Sequence, residues 1–288
     1  MSTVTPPSPA RLVRAFLDRH GLRPRKSLGQ HFLIDAAALR RIADAAELTP
    51  ADLVVEVGPG PGTLTRELLA RAGSVVAVEK DERAAEGLRA GYADDPRLRV
   101  VAADMLDADP AELTGGAPYT VVANLPYYAA APILRRFLEA SHRPNRLVVL
   151  LQREVAESAV AAPGAMSLFS VSVQVYAAAR IVGHVKPGSF LPPPKVDSSI
   201  VRLDPYPRPR GFDSGEAAAF FDVVRAGFGT RRKQITNALA HGLGEDRARI
   251  AAALDEAGID PKRRAETLTI DEWGALYRAV QETRAHAA

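Results

Sequence analysis

The sequence has no cysteine among its 288 residues, which excludes a disulfide framework, a thiolate zinc site and a cysteine nucleophile. It also lacks any apolar run of the roughly 20 residues that a helix needs to span a bilayer. The first residues have neither the basic start nor the apolar core of a signal peptide. We therefore expect a cytoplasmic protein with no membrane partner.

Acidic and basic residues are nearly balanced, at 34 and 37, but the basic residues are clustered. Residues 11–41 hold eight basic and two acidic side chains, and residues 131–153 hold five and one. Residues 225–233 add four basic side chains and no acidic one. A single cluster fits a solvated arginine-rich surface equally well, but several clusters far apart in sequence favour a polyanionic partner.

Strand and helix patterns alternate along most of the chain. Strands are predicted at 53–57, 74–78, 98–102, 120–123 and 146–151, with further strand-like segments at 171–176, 181–185 and 199–203. Helices are predicted at 35–47, 63–72, 81–92 and 131–140, and another begins near residue 155. Because the strands are nearly continuous apolar runs, we expect an α/β fold with a parallel, Rossmann-like sheet covered on both faces. Ligands bind such a sheet at the carboxyl ends of its strands.

A proline-rich segment ends this pattern at residues 204–211, where three prolines stand in eight residues. Beyond it the pattern is only helical, with helices predicted at 216–228, 231–242, 245–257 and 270–283. Thr269 and Glu272 match a capping box for the last of these helices. The predicted organisation is a tail and basic helix over residues 1–25, a Rossmann-like domain over 26–205 and a small helical domain over 211–288.

Glycine occupies alternate positions in the turn after the first strand, at Gly58, Gly60 and Gly62. Glycine reaches positive φ and lets a ligand approach without meeting a Cβ. A nicotinamide dinucleotide turn would need a further glycine where Thr63 stands, so that fingerprint fails. The acidic residue before the first glycine, Glu56, is typical of methyltransferases instead.

The next two strands also end in acidic residues. Glu79 closes the second strand, where a carboxylate can accept both hydroxyls of a ribose. Asp104 follows the third strand and can accept an adenine amino group while Met105 packs on the ring. Either acidic residue alone would be ordinary in a loop. At the ends of consecutive strands, the two together indicate a site for the ribose and the base of a nucleoside. S-adenosylmethionine fits this outline, whereas NAD needs a second mononucleotide half that the sequence does not show.

The fourth strand ends in a turn that can hold an amine, formed by Asn124, Leu125, Pro126 and Tyr127. An exocyclic adenine amine is a poor nucleophile because its lone pair is delocalised into the ring. The Asn124 amide oxygen and the Leu125 carbonyl can accept its N–H groups and turn the lone pair out of the ring plane. Pro126 stiffens the turn, and Tyr127 offers a stacking face for an unstacked base. An ordinary β-turn contains the same residue types. Because this turn follows a strand of the same predicted sheet as the glycine-rich turn, we favour a role in positioning the amine for catalysis.

The histidines do not point to metal chemistry. They lack metal-ligand spacing and no Ser-His-Asp arrangement is indicated, so we interpret them as surface or polar-core residues: His31, His142, His184 and His241. Transfer of a methyl group from S-adenosylmethionine to an adenine amine held in this way needs neither a metal nor a covalent intermediate. We expect no metal site.

Eight ordered blocks of the chain resemble the KsgA/RsmA family of small-subunit ribosomal RNA adenine dimethyltransferases, which is related to the Erm-type enzymes. The blocks are residues 26–33, 56–60, 78–81, 103–105, 124–128, 151–155, 190–198 and 228–234. The resemblance implies a monomer that uses S-adenosylmethionine to dimethylate N6 of two adjacent adenosines near the 3′ end of 16S rRNA, within the immature 30S subunit.

The resemblance also implies roles for residues that their local pattern does not single out. His31 and Leu33 would contact the methionine end of the donor, and Phe190 would form a second aromatic face opposite Tyr127. Residues 192–195 would present a rigid basic edge to RNA. Residues 231–233, predicted to begin a helix, would contact phosphates and make the helical domain an RNA-docking domain.

Two alternatives stay open beside this reading. An Erm-type enzyme would methylate 23S rRNA, but Leu125, where Erm-type enzymes tend to have Ile, and the extended block at 192–198 argue against it. A non-enzymatic nucleic-acid binder of the same fold is the second alternative. The intact turn from Asn124 to Tyr127 argues against a loss of chemistry.

Overall fold

The computed structural model describes residues 7–25, 29–213, 215–230 and 232–285. Its contacts divide the chain into two compact units. The first unit comprises Met1–Ala156 and Arg180–Pro205, and the second comprises Glu157–Ala179 and Tyr206–Ala288. The domain limits predicted from the sequence differ from these units in two places. The prediction assigns residues 157–179 to the Rossmann-like domain and sets residues 1–25 apart from it.

The described strands are β1 (Phe32–Leu33), β2 (Leu53–Val57), β3 (Ser74–Glu79), β4 (Leu98–Ala102), β5 (Tyr119–Asn124), β6 (Arg146–Gln152), β7 (Ala177–Val185), β8 (Phe190–Leu191) and β9 (Ser198–Pro205). In the described part of the chain, seven of them form one sheet in the order β4-β3-β2-β5-β6-β9-β7. The strands from β4 to β6 in this order are parallel. β9 is antiparallel to β6, so the prediction of a parallel sheet is correct for the five strands from β2 to β6 and wrong for β9.

Burial explains why the central strands could be recognised. β2, β3, β5 and β6 are buried at nearly every position, as expected for strands with helices on both faces. β4 is the edge strand, and its residues are only half-buried or exposed. The apolar runs in the sequence therefore mark the strands in the middle of the sheet.

The helices that lie at least partly in the first unit are α1 (Pro9–Arg19), α2 (Ala36–Ala45), α3 (Thr63–Leu69), α4 (Glu82–Gly91), α5 (Pro110–Thr114), α6 (Ala130–Leu138) and α7 (Arg153–Ala159). Asp35 caps α2 by accepting from the backbone N–H groups of Ala37 and Ala38, as its position in the sequence predicted. Asp81 caps α4 in the same way. These caps fix where the chain turns from a strand or loop into each helix.

One buried core joins α2 and α3 to the sheet. Leu39, Ile42 and Leu68 from the helices are fully buried against Val54 and Val148 of β2 and β6. The same cluster includes Leu33 of β1 and Phe190 of β8, which face each other in the short antiparallel β1–β8 pair. This pair therefore ties the segment around residue 33 to the loop that leads into β9.

The second unit contains α8 (Leu168–Gln174), α9 (Ala217–Phe228), α10 (Ile235–Leu243), α11 (Arg247–Glu256) and α12 (Ile270–Ala285). The capping box of α12 is confirmed, since Thr269 N donates to Glu272 Oε2 at 2.7 Å and Glu272 N donates to Thr269 Oγ1 at 3.1 Å. Aromatic side chains fill this unit, including Trp273, which is fully buried.

Two predictions in this unit are wrong. The segment 171–176 was predicted as a strand, but it belongs mostly to α8, which begins with a capping box between Ser167 and Ser170. Its alternation of valine with serine has the period of a strand. The capping box at Ser167 and Ser170 stabilises the first turn of a helix instead. A helix was also predicted to begin at residue 231. α10 begins at Ile235 after an N-cap at Gln234, and Arg231 lies outside the described residues.

Among the described residues, no helix is long and apolar enough to cross a membrane.

Candidate active site

An open cleft lies at the carboxyl ends of β2, β3, β4 and β5. Its walls are the turns that follow these four strands, together with residues 29–32. The cleft is built entirely within the first unit. Both predicted turns, the glycine-rich one after β2 and the Asn-Leu-Pro-Tyr one after β5, therefore face one space.

The glycine-rich turn has the backbone conformation that the sequence predicted. Gly58, Gly60 and Gly62 have φ values of +67°, +49° and +78°. A Cβ on Gly60 would stand 2.9 Å from Cε1 of Phe32, so a side chain there would collide with the segment that closes over the turn. Gly58 and Gly60 line the cleft, where their backbones can approach a ligand closely.

Glu79 holds this turn in place from the end of β3. Its Oε2 accepts from Gly60 N at 3.0 Å and its Oε1 accepts from Asp81 N at 2.9 Å. Burial raises the pKa of this carboxyl group, although the backbone N–H groups of Asp81 and Gly60 oppose the shift. A carboxylate has about four acceptor positions, so acceptor capacity remains for a pair of hydroxyls.

Glu56 lies beneath the turn and is 1% exposed. Burial raises its pKa to about 8, the nearby Glu79 adds to the shift, and a bond from Thr65 opposes it. Thr65 Oγ1 donates to Glu56 Oε2 at 2.6 Å. Glu56 does not line the cleft, so its contact with α3 supports the turn from behind.

Asp104 and Met105 line the cleft at the end of the neighbouring strand, β4. Asp104 Oδ1 accepts from Leu106 N at 3.0 Å, and Oδ2 accepts from the Lys80 ammonium group at 2.6 Å. Lys80 lowers the pKa of the Asp104 carboxyl group, and the Leu106 N–H contributes. Lys80 directly follows Glu79, and no local sequence pattern indicates its contact with Asp104.

The side chain of Asn124 is oriented by the backbone of His31. Asn124 Nδ2 donates to the His31 carbonyl oxygen at 3.0 Å. Exchanging the amide atoms would set two carbonyl oxygens against each other, so this contact fixes which end of the amide is which. Asn124 Oδ1 then has no hydrogen-bond partner among the described residues and can accept from a ligand.

The rest of the turn is also ordered by its neighbours. Ala129 N donates to Pro126 O at 3.0 Å, which closes the turn ahead of α6. The hydroxyl groups of Tyr127 and Ser198 share a hydrogen bond of 2.7 Å. Leu125, Pro126 and Tyr127 all line the cleft. Ser198 is fully buried, and nothing in the local sequence pattern identified it as a partner of Tyr127.

His31 connects three parts of the site. Its ring stacks on Tyr127 with centroids 5.6 Å apart and an angle of 26° between the planes. Its Nδ1 donates to the carbonyl oxygen of Pro192 at 2.8 Å. With the backbone bond to Asn124, these contacts join residues 29–32, the Asn-Leu-Pro-Tyr turn and the proline-rich loop after β8. The resemblance implied a donor contact for His31, and the residue does line the cleft.

Two residues named by the resemblance lie elsewhere. Leu33 and Phe190 do not line the cleft, and they are only 2% and 3% exposed. They are opposite each other in the β1–β8 pair and pack into the core beneath α2. Among the described residues, the ring stacked on Tyr127 is that of His31, and no ring contact joins Phe190 to Tyr127.

The residues of the cleft fit S-adenosylmethionine. Gly58 and Gly60 present backbone to the cleft, Glu79 retains acceptor capacity, and Asp104 and Met105 line the same cleft after β4. No group of three or more His, Asp or Glu side chains in the described ranges is arranged to hold a metal ion.

Comparisons with known proteins agree with this arrangement. A family model described as "Ribosomal RNA adenine dimethylase" matches residues 21–282. A "Ribosomal RNA small subunit methyltransferase A" from Dehalococcoides mccartyi is 46% identical over 271 residues, covering 94% of this chain and 93% of that protein. A protein of the same name from Moorella thermoacetica is 43% identical over 291 residues, covering 97% and 99%.

Two solved structures are similar over most of the chain. The 23S rRNA methyltransferase ErmE is 31% identical with a TM-score of 0.69, covering 86% of this chain and 99% of that one. A dimethyladenosine transferase from Plasmodium falciparum is 22% identical with a TM-score of 0.72, covering 88% and 98%. The Rossmann-like methyltransferase fold predicted from the sequence is confirmed.

Proposed function

This chain belongs to the ribosomal RNA adenine dimethylase family, and from that premise we propose that it transfers methyl groups to N6 of two adjacent adenosines near the 3′ end of 16S rRNA. S-adenosylmethionine, when bound, supplies the electrophilic methyl group. The observation that carries the proposal is that the glycine turn and Asn124 line the same cleft, with Asn124 Oδ1 left to accept a hydrogen bond.

The acceptor adenosine is held by the turn after β5. Asn124 Oδ1 and the Leu125 carbonyl oxygen accept the N6 hydrogens, and this turns the nitrogen lone pair towards the methyl group. Pro126 has no N–H that would compete for these acceptors. Tyr127 stacks on the base, and its hydroxyl group is anchored by Ser198. The rate enhancement then comes from positioning and from stabilising the charge that develops on N6.

The donor is held by the turns after β2, β3 and β4. Gly58 and Gly60 admit its amino-acid portion, Glu79 accepts the ribose hydroxyls, and Asp104 accepts the adenine amine while Met105 packs on the ring. His31 and Asn124 lie where the donor and acceptor portions of the cleft meet. Because positioning suffices for this chemistry, we propose that no metal ion takes part.

The small subunit is the substrate that the relatives favour. The two curated relatives above are named as small-subunit enzymes and are 46% and 43% identical, whereas the 23S rRNA methyltransferase ErmE is 31% identical. We propose that the protein acts as a monomer on the immature 30S subunit in the cytoplasm. The basic clusters at residues 11–41, 131–153 and 225–233 supply charge for contacts with rRNA phosphates.

Methylation of undermethylated ribosomal subunits tests the proposal. Purified protein is incubated with S-adenosylmethionine labelled in its methyl group and with either small or large subunits, and the rRNA nucleosides are separated. We expect label in N6,N6-dimethyladenosine from 16S rRNA at two adjacent positions. Label in 23S rRNA alone would favour the Erm-type alternative. Absence of label from both, with RNA binding intact, would favour a non-enzymatic binder.

A further inference from the structure

Two exposed apolar side chains stand at the rim of the cleft. Leu106 is 38% exposed and Tyr128 is 55% exposed, and both line the cleft. The other large hydrophobic side chains with comparable exposure in the described part of the chain, Leu168, Val182 and Val196, do not line it. A single exposed apolar residue is ordinary. Two exposed apolar side chains in one cleft, next to the turns proposed to hold the donor and the acceptor, indicate a surface that contacts a ligand.

The Tyr128 ring is supported on one side and open on the other. Gly29 has φ of +58°, and a Cβ added to it would come within 3.5 Å of Cδ1 of Tyr128, so the ring lies over a position without a side chain. Within the described residues, Tyr128 has no ring contact and no side-chain hydrogen bond. Tyr127, its neighbour, points into the cleft and bonds Ser198. The two tyrosine side chains therefore lie in different environments, Tyr127 bonded to Ser198 and Tyr128 exposed.

A cation completes this rim. The Lys80 side chain is 55% exposed, lines the same cleft and pairs with Asp104 at 2.6 Å. Tyr128 lines the same cleft as this ammonium group. An exposed aromatic ring beside a cation is the combination that binds single-stranded nucleic acid, by stacking on a base and attracting its phosphate.

We propose that Tyr128, aided by the exposed Leu106 of the same cleft, is a stacking platform for the base of the nucleotide next to the target adenosine. The inference rests on the proposed function. A target base held by Asn124 and Tyr127 leaves its neighbour, joined by one phosphodiester, at the rim where Tyr128 is exposed.

Replacement of Tyr128 tests the platform. With undermethylated small subunits as substrate, Tyr128→Ala is expected to raise KM for the subunits about 5- to 30-fold, the effect of losing one base stack. Tyr128→Phe keeps the face and should stay near wild type. Val182→Ala removes an apolar side chain that is 37% exposed and lies away from the cleft, and it serves as the control. A KM unchanged by Tyr128→Ala would overturn the proposal.

Donor binding separates the platform from the donor site. The affinity for S-adenosylhomocysteine, measured by calorimetry, should be the same for the wild type and Tyr128→Ala. A large loss of this affinity would assign Tyr128 to the donor site and overturn the platform. Leu106→Ala should raise KM in the same direction as Tyr128→Ala but less, because an aliphatic side chain offers a smaller surface to a base.

A change in the RNA identifies the base concerned. Small subunits are reconstituted with 16S rRNA in which one of the two adenosines is replaced by uridine, and methylation of the other is followed. The replacement should raise KM for the wild type severalfold and for Tyr128→Ala by less than about twofold. Equal effects in both proteins would overturn the assignment. Wild-type activity on unaltered subunits is the reference, so a wild type that fails to methylate them would contradict the proposed function instead.

Discussion

The side-chain amide of Asn124 donates to the backbone carbonyl of His31 at 3.0 Å, across 93 positions of sequence. Among the described residues, this is the one hydrogen bond that the Asn124 side chain makes. Its Oδ1 atom therefore remains able to accept a hydrogen bond from a ligand. A residue at the end of β5 is thereby oriented by a segment that precedes α2. The proposed acceptor pocket thus depends on a contact between the residue before β1 and the last residue of β5.

Loss of the Asn124 amide should remove catalysis and preserve the fold. Asn124→Ala removes the proposed N6 acceptor, and loss of one preorganised polar group of this kind costs about 10² to 10³ in kcat. Single-turnover methylation of small subunits measures this. The melting temperature should change little because Asn124 is only half-buried. Asn145→Ala, in an exposed loop away from the cleft, should be fully active, and an Asn124→Ala enzyme with near-normal kcat would contradict the assignment.

For activity, the hydrogen bond from the His31 side chain to the Pro192 carbonyl oxygen should matter more than the presence of an imidazole ring. Asn can donate to the same carbonyl oxygen, so His31→Asn should keep most activity, whereas His31→Ala should lose about 5- to 10-fold in kcat/KM, the value of one hydrogen bond. His142 provides a matched control because it also bonds a backbone carbonyl and contacts a tyrosine ring, but outside the cleft. His142→Ala should leave kcat/KM unchanged. Equal losses for His31→Asn and His31→Ala would instead assign the effect to the stacked ring.

Burial of Glu56 should make the stability fall with rising pH. Its pKa is about 8 in the folded protein against a usual value of 4.5, so between these values the folded state holds a proton that the unfolded state releases. Stability from this group is therefore present near pH 4.5 and is lost as the pH rises to 8. Glu56→Gln keeps an acceptor for Thr65 and should raise the melting temperature at pH 8.5, on the order of 5 °C, with little change at pH 5.5.

The matched control for this pH effect is Glu86→Gln, at an exposed position of α4. It should shift the melting temperature equally at both pH values. If Glu56→Gln gave the same shift at pH 5.5 as at pH 8.5, the carboxyl group would not be protonated in the folded protein.

Truncation of Phe190 should destabilise the fold. Its ring is 3% exposed and packs with the core beneath α2, so Phe190→Ala should lower the free energy of unfolding by about 3–5 kcal/mol. Chemical denaturation measures the change. Leu191→Ala, at the next and half-buried position, should cost less. An unchanged unfolding free energy, combined with weaker RNA binding, would show that the ring faces the base as the family resemblance implies.

Much of the site could be predicted because it follows from the sheet. Apolar runs mark β2, β3, β5 and β6, and the residues that follow parallel strands meet at one edge, so the glycine turn, Glu79, Asp104 and Asn124 could be placed together. What the sequence could not show depends on pairing between distant segments. The burial of Phe190 and the stacking of His31 on Tyr127 follow from contacts across more than 90 residues, which no local pattern records.

Local patterns also failed where two of them competed. The valine and serine alternation before Gln174 has the period of a strand, and the cap at Ser167 makes it a helix. β9 carries the apolar run of a sheet strand, but a run of this kind does not say whether the strand is parallel to its neighbour. Residues whose role depends on ionic contacts, such as Lys80 with Asp104, were likewise not identified from spacing.

A crystal structure with S-adenosylhomocysteine and an adenosine-containing RNA fragment bound tests the central claim most directly. The account predicts the donor product against Gly58 and Gly60, with its ribose on Glu79, and the adenosine N6 within hydrogen-bond distance of Asn124 Oδ1. Binding of the nucleoside outside this cleft, or an adenosine whose N6 points away from Asn124, would contradict it.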